Sequence, residues 1–191
     1  AVLIPRPETE LLVEKAIDWL LSNPDRRRAA DVGIGSGAVA TALLVNVLGL
    51  QMAASDISRK ALQIARQNLT AHHVFEAASL VQCDLLSAMS GPFDLVCANL
   101  PYIPSSKLAG LDVAQNEPWT ALDGGPDGLL YIEQLTADAN RWLAPGGMLM
   151  LEIEADQGES APAMMRRYFP TSRIELFTDL AGLPRVVTLQ R

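Results

Sequence analysis

The sequence predicts an α/β domain in which helices cover both faces of a mostly parallel, seven-stranded sheet. Two patterns carry this prediction. Short apolar runs typical of buried strands alternate with segments of helical periodicity, and a glycine-rich turn follows the first of these runs. The length of 191 residues, with 49% hydrophobic and 19% charged residues, suits one packed core. We therefore expect a single domain over residues 1–191.

A leading amphipathic helix is predicted up to residue 22, because apolar residues recur at helical spacing and Glu8 and Glu10 lie in its first turn. Residues 1–24 should pack on the flank of the sheet. Helices are then predicted over 38–48 and 58–70. Strands are predicted over 29–32, 51–55, 80–83 and 93–98.

The second half opens with a segment, 101–128, in which periodicity vanishes and proline and glycine recur. This composition predicts a long loop over the sheet edge, where loops commonly cover sites. A helix over 128–143 should end at Pro145-Gly146-Gly147. After it we expect a strand over 148–153, a helix over 161–168, and an antiparallel pair over 173–177 and 186–190.

Charge and composition narrow the function. A formal net charge of −7 opposes attraction to a polyphosphate backbone, so a nucleic acid is an improbable direct substrate. No apolar run is long enough to cross a bilayer, which predicts a cytoplasmic protein without membrane contact. We expect a monomer. The isolated Cys83 and Cys97 and the adjacent His72 and His73 predict no metal site.

The glycine turn is the first candidate site. Gly33, Gly35 and Gly37 lie where the first strand turns into a helix, the place where open parallel sheets bind ligands. Asp56 closes the second strand and suits a pair of ribose hydroxyls, and Asp84 closes the third, where an adenine ring would lie. The glycines alone fit a nucleoside cofactor or a dinucleotide equally well.

The fourth strand ends in Asn99-Leu100-Pro101-Tyr102. A side-chain amide, a proline that fixes the backbone and an aromatic ring can hold a flat NH2-bearing group by its edge and its face. The lone pair of such a nitrogen is delocalised, and the sequence shows no strong base nearby. Orientation of the nitrogen by the Asn99 oxygen would then carry catalysis. This combination favours methyl transfer over redox chemistry.

In chain order, several motifs resemble the HemK family of protein-glutamine N5-methyltransferases. They are Leu3-Ile4-Pro5-Arg6-Pro7-Glu8-Thr9-Glu10, Asp31 to Gly37, Asp56-Ile57-Ser58, Asn99 to Ile103, Glu117-Pro118, Ala121 to Gly125, Leu151-Glu152-Ile153, Gln157-Gly158 and Asp179 to Gly182. The resemblance implies a class I methyltransferase with a Rossmann-like fold. It also implies S-adenosyl-L-methionine as methyl donor. The implied substrate is the glutamine of the Gly-Gly-Gln loop in peptide-chain release factors.

By position, the resemblance assigns functional residues. The implied cofactor contacts are Gly33, Ile34, Gly35, Ser36, Gly37, Asp56, Leu85 and Asn99, and the end of the third strand adds Asp84 to this set. The implied catalytic residues are Asn99, Pro101 and Tyr102, and the glutamine would also meet Leu100, Arg6, Pro7 and Glu8.

The chain departs from the family in three respects. Leu100 replaces the first proline of Asn-Pro-Pro-Tyr, which makes the motif similar to that of ribosomal RNA adenine dimethyltransferases, and Glu154 replaces a glycine. The family's N-terminal helical domain is expected to be absent. Two alternatives stay open. Leu100 and the Asn-x-Pro-Tyr motif keep open an adenine-N6 methyltransferase acting on RNA or DNA, and the glycine turn alone keeps open a nicotinamide enzyme or noncatalytic nucleotide-binding module.

Overall fold

The computed structural model describes residues 6–108 and 119–191. Its seven strands are β1 (Arg28–Val32), β2 (Gln51–Asp56), β3 (Ala78–Gln82), β4 (Phe93–Ala98), β5 (Leu143–Glu152), β6 (Arg173–Thr178) and β7 (Pro184–Gln190). They form one sheet in the order β3-β2-β1-β4-β5-β7-β6. Strands β1 to β5 pair in parallel, and β7 runs antiparallel between β5 and β6. The predicted α/β class and the final antiparallel pair are confirmed.

Six α-helices connect these strands in the described part of the chain. They are α1 (Thr9–Ser22), α2 (Ala38–Asn46), α3 (Arg59–Ala71), α4 (Ser105–Leu108), α5 (Leu130–Trp142) and α6 (Ser160–Tyr168). Short 3-10 turns occur at Phe75–Ala77, Trp119–Ala121 and Ala155–Gln157. Within these residues, no helix is long and apolar enough to cross a bilayer.

The core has two halves, one on each face of the sheet. Leu12 and Leu20 of α1 pack with the apolar residues of α2 and α3 on one face. Ile132 of α5 and Met165 of α6 pack on the other. Successive strand residues point to opposite faces, so the sheet contributes alternate side chains to each half. The chain reverses its strand order between β1 and β4, and the crevice at such a switch point is where ligands bind.

Two predicted segments differ from the structure by more than a shift of one or two residues. Strand β5 begins at Leu143, five residues before the prediction, because Leu143 already pairs with Phe93 and a bulge absorbs the Pro-Gly-Gly sequence before Met148 pairs with Leu95. The predicted loop over 101–128 contains α4 and the turn at Trp119–Ala121.

Some motif residues that support the family resemblance cannot be placed. Leu3-Ile4-Pro5 and Glu117-Pro118 lie outside the described residues.

Candidate active site

A cavity of about 470 Å³ opens at the carboxyl ends of β1, β2 and β4. Its volume is in the range of small-molecule sites. Ten of the residues predicted to act in the site line it: Gly33, Ile34, Gly35, Ser36, Asp56, Asp84, Leu85, Asn99, Leu100 and Pro101. The structure therefore brings the glycine turn, the two strand-end acids and the Asn99 motif to one cavity.

The glycine turn is held open by backbone geometry. Gly33 and Gly35 have φ angles of 71° and 55°, which only glycine adopts without strain. A Cβ on Gly33 would lie 3.0 Å from Cδ2 of Leu100, so the turn packs directly against the Asn99 motif. Ile34 N–H donates to the Ser55 carbonyl at 2.8 Å, which ties the turn to β2. The bare backbone lets a ligand approach closely.

Asp56 connects the glycine turn to α3. Its Oδ2 accepts from Gly35 N–H at 3.0 Å, and its Oδ1 accepts from Ser58 N–H at 2.8 Å. Each carboxylate oxygen can accept a second hydrogen bond, so both retain capacity for ligand hydroxyls. Asp56 thus has a structural role in addition to the ribose contact predicted from sequence.

The segment after β3 forms another part of the wall. Leu85 has a φ angle of 46°, a left-handed conformation that costs energy in any residue with a Cβ. Cys83 Sγ donates to the Leu85 carbonyl at 3.4 Å, and Ser87 N–H donates to the Asp84 carbonyl at 3.0 Å. Backbone strain of this kind is concentrated at ligand sites.

Asp31 lies at the buried base of the cavity, with only 2% of its surface exposed. Burial raises its pKa to about 7, the hydrogen bond from Ala40 N–H to its Oδ2 at 3.1 Å opposes that rise, and the negative charge of Asp56 adds to it. The carboxyl group therefore changes charge near neutral pH.

Asn99 extends from the end of β4 into the cavity wall. Its Nδ2 donates to Oγ1 of Thr9, the first residue of α1, at 3.1 Å. With the amide nitrogen engaged on that side, Oδ1 is the group that remains to accept a hydrogen bond from a ligand. Thr9 also lines the cavity.

Tyr102 lies beside the cavity wall and not in it. Its hydroxyl donates to Oε1 of Glu152 at 3.3 Å, and its carbonyl accepts from Nε2 of Gln157 at 3.1 Å. Burial and the charge of Glu152 raise the pKa of Tyr102 well above its usual value. The ring is fixed by these contacts next to the end of the motif.

Four other predicted residues also lie outside the cavity wall. Arg6, Pro7 and Glu8 form the turn before α1, where the Arg6 carbonyl accepts from Thr9 N–H at 3.0 Å. The charge of Arg6 lowers the pKa of Tyr102, which places this turn on the Tyr102 side of the site. Gly37 begins α2 with a φ of 81°, and a Cβ there would lie 3.1 Å from Ala65 Cα. Packing of α2 on α3 therefore also requires a glycine at this position.

Sequence reasoning missed Glu152, which is 1% exposed at the end of β5. Ala98 pairs with Leu151, so the residues that follow, Asn99 and Glu152, leave adjacent strands at the same level of the sheet. The sequence does show an acidic residue, Glu152, at the end of an apolar strand. Only the strand order shows that this residue lies beside Asn99.

Three further lining residues, Thr9, Ser55 and Tyr131, also escaped prediction. Ser55 is fully buried, and its hydroxyl has no hydrogen-bond partner among the described residues. A buried hydroxyl without a partner beside a cavity suits a ligand contact. In residues 6–108 and 119–191, no group of three His, Cys, Asp or Glu side chains is arranged to hold a metal ion.

The chain is similar in sequence and fold to known methyltransferases. The family model of the methyltransferase small domain matches residues 8–117. A release factor glutamine methyltransferase from Gloeobacter violaceus is 41% identical over 190 residues, which are 98% of this chain and 66% of that protein. One from Rhodopirellula baltica is 36% identical over 100% of this chain and 67% of its own length. The chain thus spans about two thirds of the length of these relatives.

A solved structure supports the same family assignment. The release factor-specific protein-(glutamine-N5) methyltransferase from Alicyclobacillus acidocaldarius superposes with a TM-score of 0.62 at 26% identity, covering 98% of this chain and 94% of that one. The resemblance drawn from the motifs is therefore confirmed. The chain belongs to the methyltransferase small domain family, within the group of release factor glutamine methyltransferases.

Proposed function

We propose that this chain transfers a methyl group from S-adenosylmethionine to the side-chain amide nitrogen of a glutamine, in the Gly-Gly-Gln loop of peptide-chain release factors. The observation that carries the proposal is the orientation of the Asn99 amide at the cavity wall. Its nitrogen is bound by Thr9, so its oxygen is available at the cavity wall to accept N–H from a planar amide.

The residues present fit the cofactor. The glycine turn has no side chains that would keep a ligand away from its backbone N–H groups. Asp56 can accept further hydrogen bonds from ribose hydroxyls. The buried Ser55 hydroxyl has no partner among the described residues and can bind a ligand. Asp31 can place a negative charge at the base of the cavity, opposite the positive charges of the methionine moiety. When bound, S-adenosylmethionine supplies an electrophilic methyl group on a sulfonium.

Orientation of the substrate then provides most of the catalysis. Asn99 Oδ1 and the carbonyl beside it accept the two N–H bonds of the glutamine amide and direct its lone pair toward the methyl carbon. The amide nitrogen would take the methyl group from S-adenosylmethionine, which would leave as S-adenosylhomocysteine, and would lose one proton to water. Alignment of this kind contributes about 7 to 11 kcal/mol in ideal cases.

The adenine-N6 alternative has one motivating feature, Leu100 in the second position of the motif. Leu100 is buried and lies against the glycine turn, so it acts in packing at that position. The charged residues that line the cavity are Asp31, Asp56, Asp84 and Lys60. Because these acids are assigned to the cofactor, the formal net charge of −7 is the feature that opposes a polyphosphate partner and favours the protein substrate.

Mass spectrometry tests the proposal directly. The protein is incubated with S-adenosylmethionine together with a release factor in one reaction and ribosomal RNA in another. We expect one added methyl group on the glutamine of the Gly-Gly-Gln peptide and none on adenine. Methylated RNA with an unmodified release factor would establish the alternative. Because release factors act on ribosomes, the proposed substrate places the enzyme in the cytoplasm.

A further inference from the structure

The side-chain amide of Asn99 can present either its oxygen or its NH2 group to a substrate. If the Asn99 amide were rotated by 180° about its Cβ–Cγ bond, Nδ2 instead of Oδ1 would face the cavity. A hydrogen-bond donor would then lie against the NH2 group of the substrate, which is also a donor. The two orientations have nearly the same shape, so packing cannot select between them. Selection requires a neighbour that accepts hydrogen bonds and does not donate them.

The first neighbour, Thr9, does not provide this selection by itself. Its hydroxyl accepts from Asn99 Nδ2 at 3.1 Å, but a hydroxyl can donate as readily as it accepts. If the Thr9 proton pointed at Asn99, the reversed amide would be equally well bound. Which of the two groups donates in the Asn99–Thr9 hydrogen bond therefore depends on the acceptor to which the Thr9 hydroxyl proton points.

Glu152 is the neighbour with acceptor oxygens that can orient the Thr9 hydroxyl proton. It is buried, its Oε1 accepts from the Tyr102 hydroxyl at 3.3 Å, and its Oε2 has no partner of good hydrogen-bond geometry among the described residues. Burial raises the pKa of Glu152. The hydrogen-bonding side chains of Thr9, Tyr102 and Asn99 lower it, and the charge of Glu8 raises it further. Thr9 and Asn99 are thus both immediate neighbours of the carboxylate.

Hydrogen bonds from Thr9, Tyr102 and Asn99 favour the ionised form of Glu152. An ionised carboxylate has acceptor oxygens only, so it attracts the Thr9 proton and the Asn99 nitrogen and repels the Asn99 oxygen. In a buried setting these interactions are stronger than in water. We infer that Glu152 is a positioning residue, which fixes the Asn99 amide with Oδ1 toward the cavity through the carboxylate–Thr9–amide chain. This inference rests on the proposed methyl transfer to an amide nitrogen, which needs that acceptor.

The test is Glu152→Gln, which keeps size and shape but introduces an NH2 donor that accommodates either amide orientation. We expect kcat for release factor methylation to fall about 10- to 100-fold, while the Kd of S-adenosylhomocysteine changes little. Glu159→Gln is the matched control. Glu159 is exposed immediately before α6, and its side chain makes no capping hydrogen bond, so its substitution should leave kcat unchanged.

A double-mutant cycle distinguishes positioning from a general loss of structure. If Glu152 acts through Asn99, Glu152→Gln should cost less than about 3-fold more in a protein that already carries Asn99→Ala. Full additivity of the two losses would overturn the inference, as would an unchanged kcat for Glu152→Gln alone.

Amide exchange provides a readout that does not need activity. In 15N-labelled protein, the Asn99 Nδ2 protons, assigned by their loss in Asn99→Ala, should exchange with water slowly and should exchange about 10-fold faster in Glu152→Gln. Equal exchange would overturn the inference even if methylation is observed. If the wild type methylates no release factor, the proposed function fails and exchange alone decides the role of Glu152. Thr9→Val replaces Glu152→Gln if that variant does not fold, with the same expected exchange.

Discussion

The side-chain nitrogen of Asn99 donates to the hydroxyl of Thr9 across 90 residues of sequence. This bond joins the end of β4 to the first residue of α1, whose apolar face packs into the core. Helix α1 therefore covers the flank of the sheet and also contributes a hydrogen-bonding side chain to the site.

The first prediction concerns Asn99→Ala. Removing the amide deletes the proposed acceptor for the substrate N–H but leaves the glycine turn and Asp56 intact. We expect kcat to fall about 100-fold, while the Kd of S-adenosylhomocysteine rises less than about 3-fold. Single-turnover methylation and calorimetry measure the two quantities.

Asn46→Ala is the control for this variant, because Asn46 is exposed at the end of α2 and its amide bonds only its own helix, at the Ala42 carbonyl. It should retain both wild-type values. Equal losses of kcat and of cofactor affinity in Asn99→Ala would show that Asn99 serves the cofactor and not the substrate.

The second prediction concerns Asp56→Asn. The asparagine has one acceptor oxygen where the carboxylate has two, so it cannot accept from both Gly35 and Ser58 as Asp56 does. We expect the Kd of S-adenosylhomocysteine to rise about 10- to 100-fold, since hydrogen bonds to charged groups contribute about 1.5 to 3 kcal/mol.

Asp25→Asn, an exposed aspartate in the turn before β1, provides the baseline for removing one negative charge. The ribose assignment of Asp56 would be refuted by an unchanged dissociation constant in calorimetry.

Much of this architecture could be predicted from sequence, since apolar periodicity reports burial directly and the alternation of strands and helices leaves few topologies. The glycine turn and Asn99 were identified for the same reason. Each lies at the end of a recognisable strand, where parallel sheets build sites.

What could not be predicted depends on which strands become neighbours. Glu152 lies 53 positions after Asn99 in the sequence, and only the pairing of β4 with β5 brings the two ends together. The same limit applies to Gly37. Its spacing matches the glycine turn, but the close approach of Ala65 from α3 also requires a glycine there, and this contact between helices cannot be read from the spacing.

The third prediction separates backbone strain from steric contact at glycine. Gly37 and Gly49 have similar φ angles, 81° and 76°, but a Cβ on Gly49 meets nothing within 4 Å, whereas one on Gly37 would press on Ala65. We expect Gly49→Ala to lower the free energy of unfolding by about 1 to 2 kcal/mol and Gly37→Ala by about 1 to 3 kcal/mol more. Urea denaturation measures both. Equal losses would mean that α2 and α3 separate easily at Ala65.

The buried carboxyl of Asp31 makes stability depend on pH in an unusual direction. Its pKa is about 7 in the folded protein, compared with 3.8 when unfolded, because burial penalises the charged form. Between these values the folded state holds the proton more tightly than the unfolded state does. The contribution of Asp31 to stability therefore falls as pH rises from about 4 to about 7 and is level above that.

The fourth prediction follows from this sign. Asp31→Asn has no proton to lose and keeps an acceptor for Ala40 N–H. The free energy of unfolding of the variant minus that of the wild type should therefore increase by ~3 kcal/mol between pH 5 and pH 8. Taking the difference cancels the titration of all other groups, so urea denaturation of the two proteins at each pH isolates Asp31. A constant difference would show that Asp31 has an ordinary pKa, whereas a decreasing one would mean that a cation inside the fold holds the carboxylate ionised.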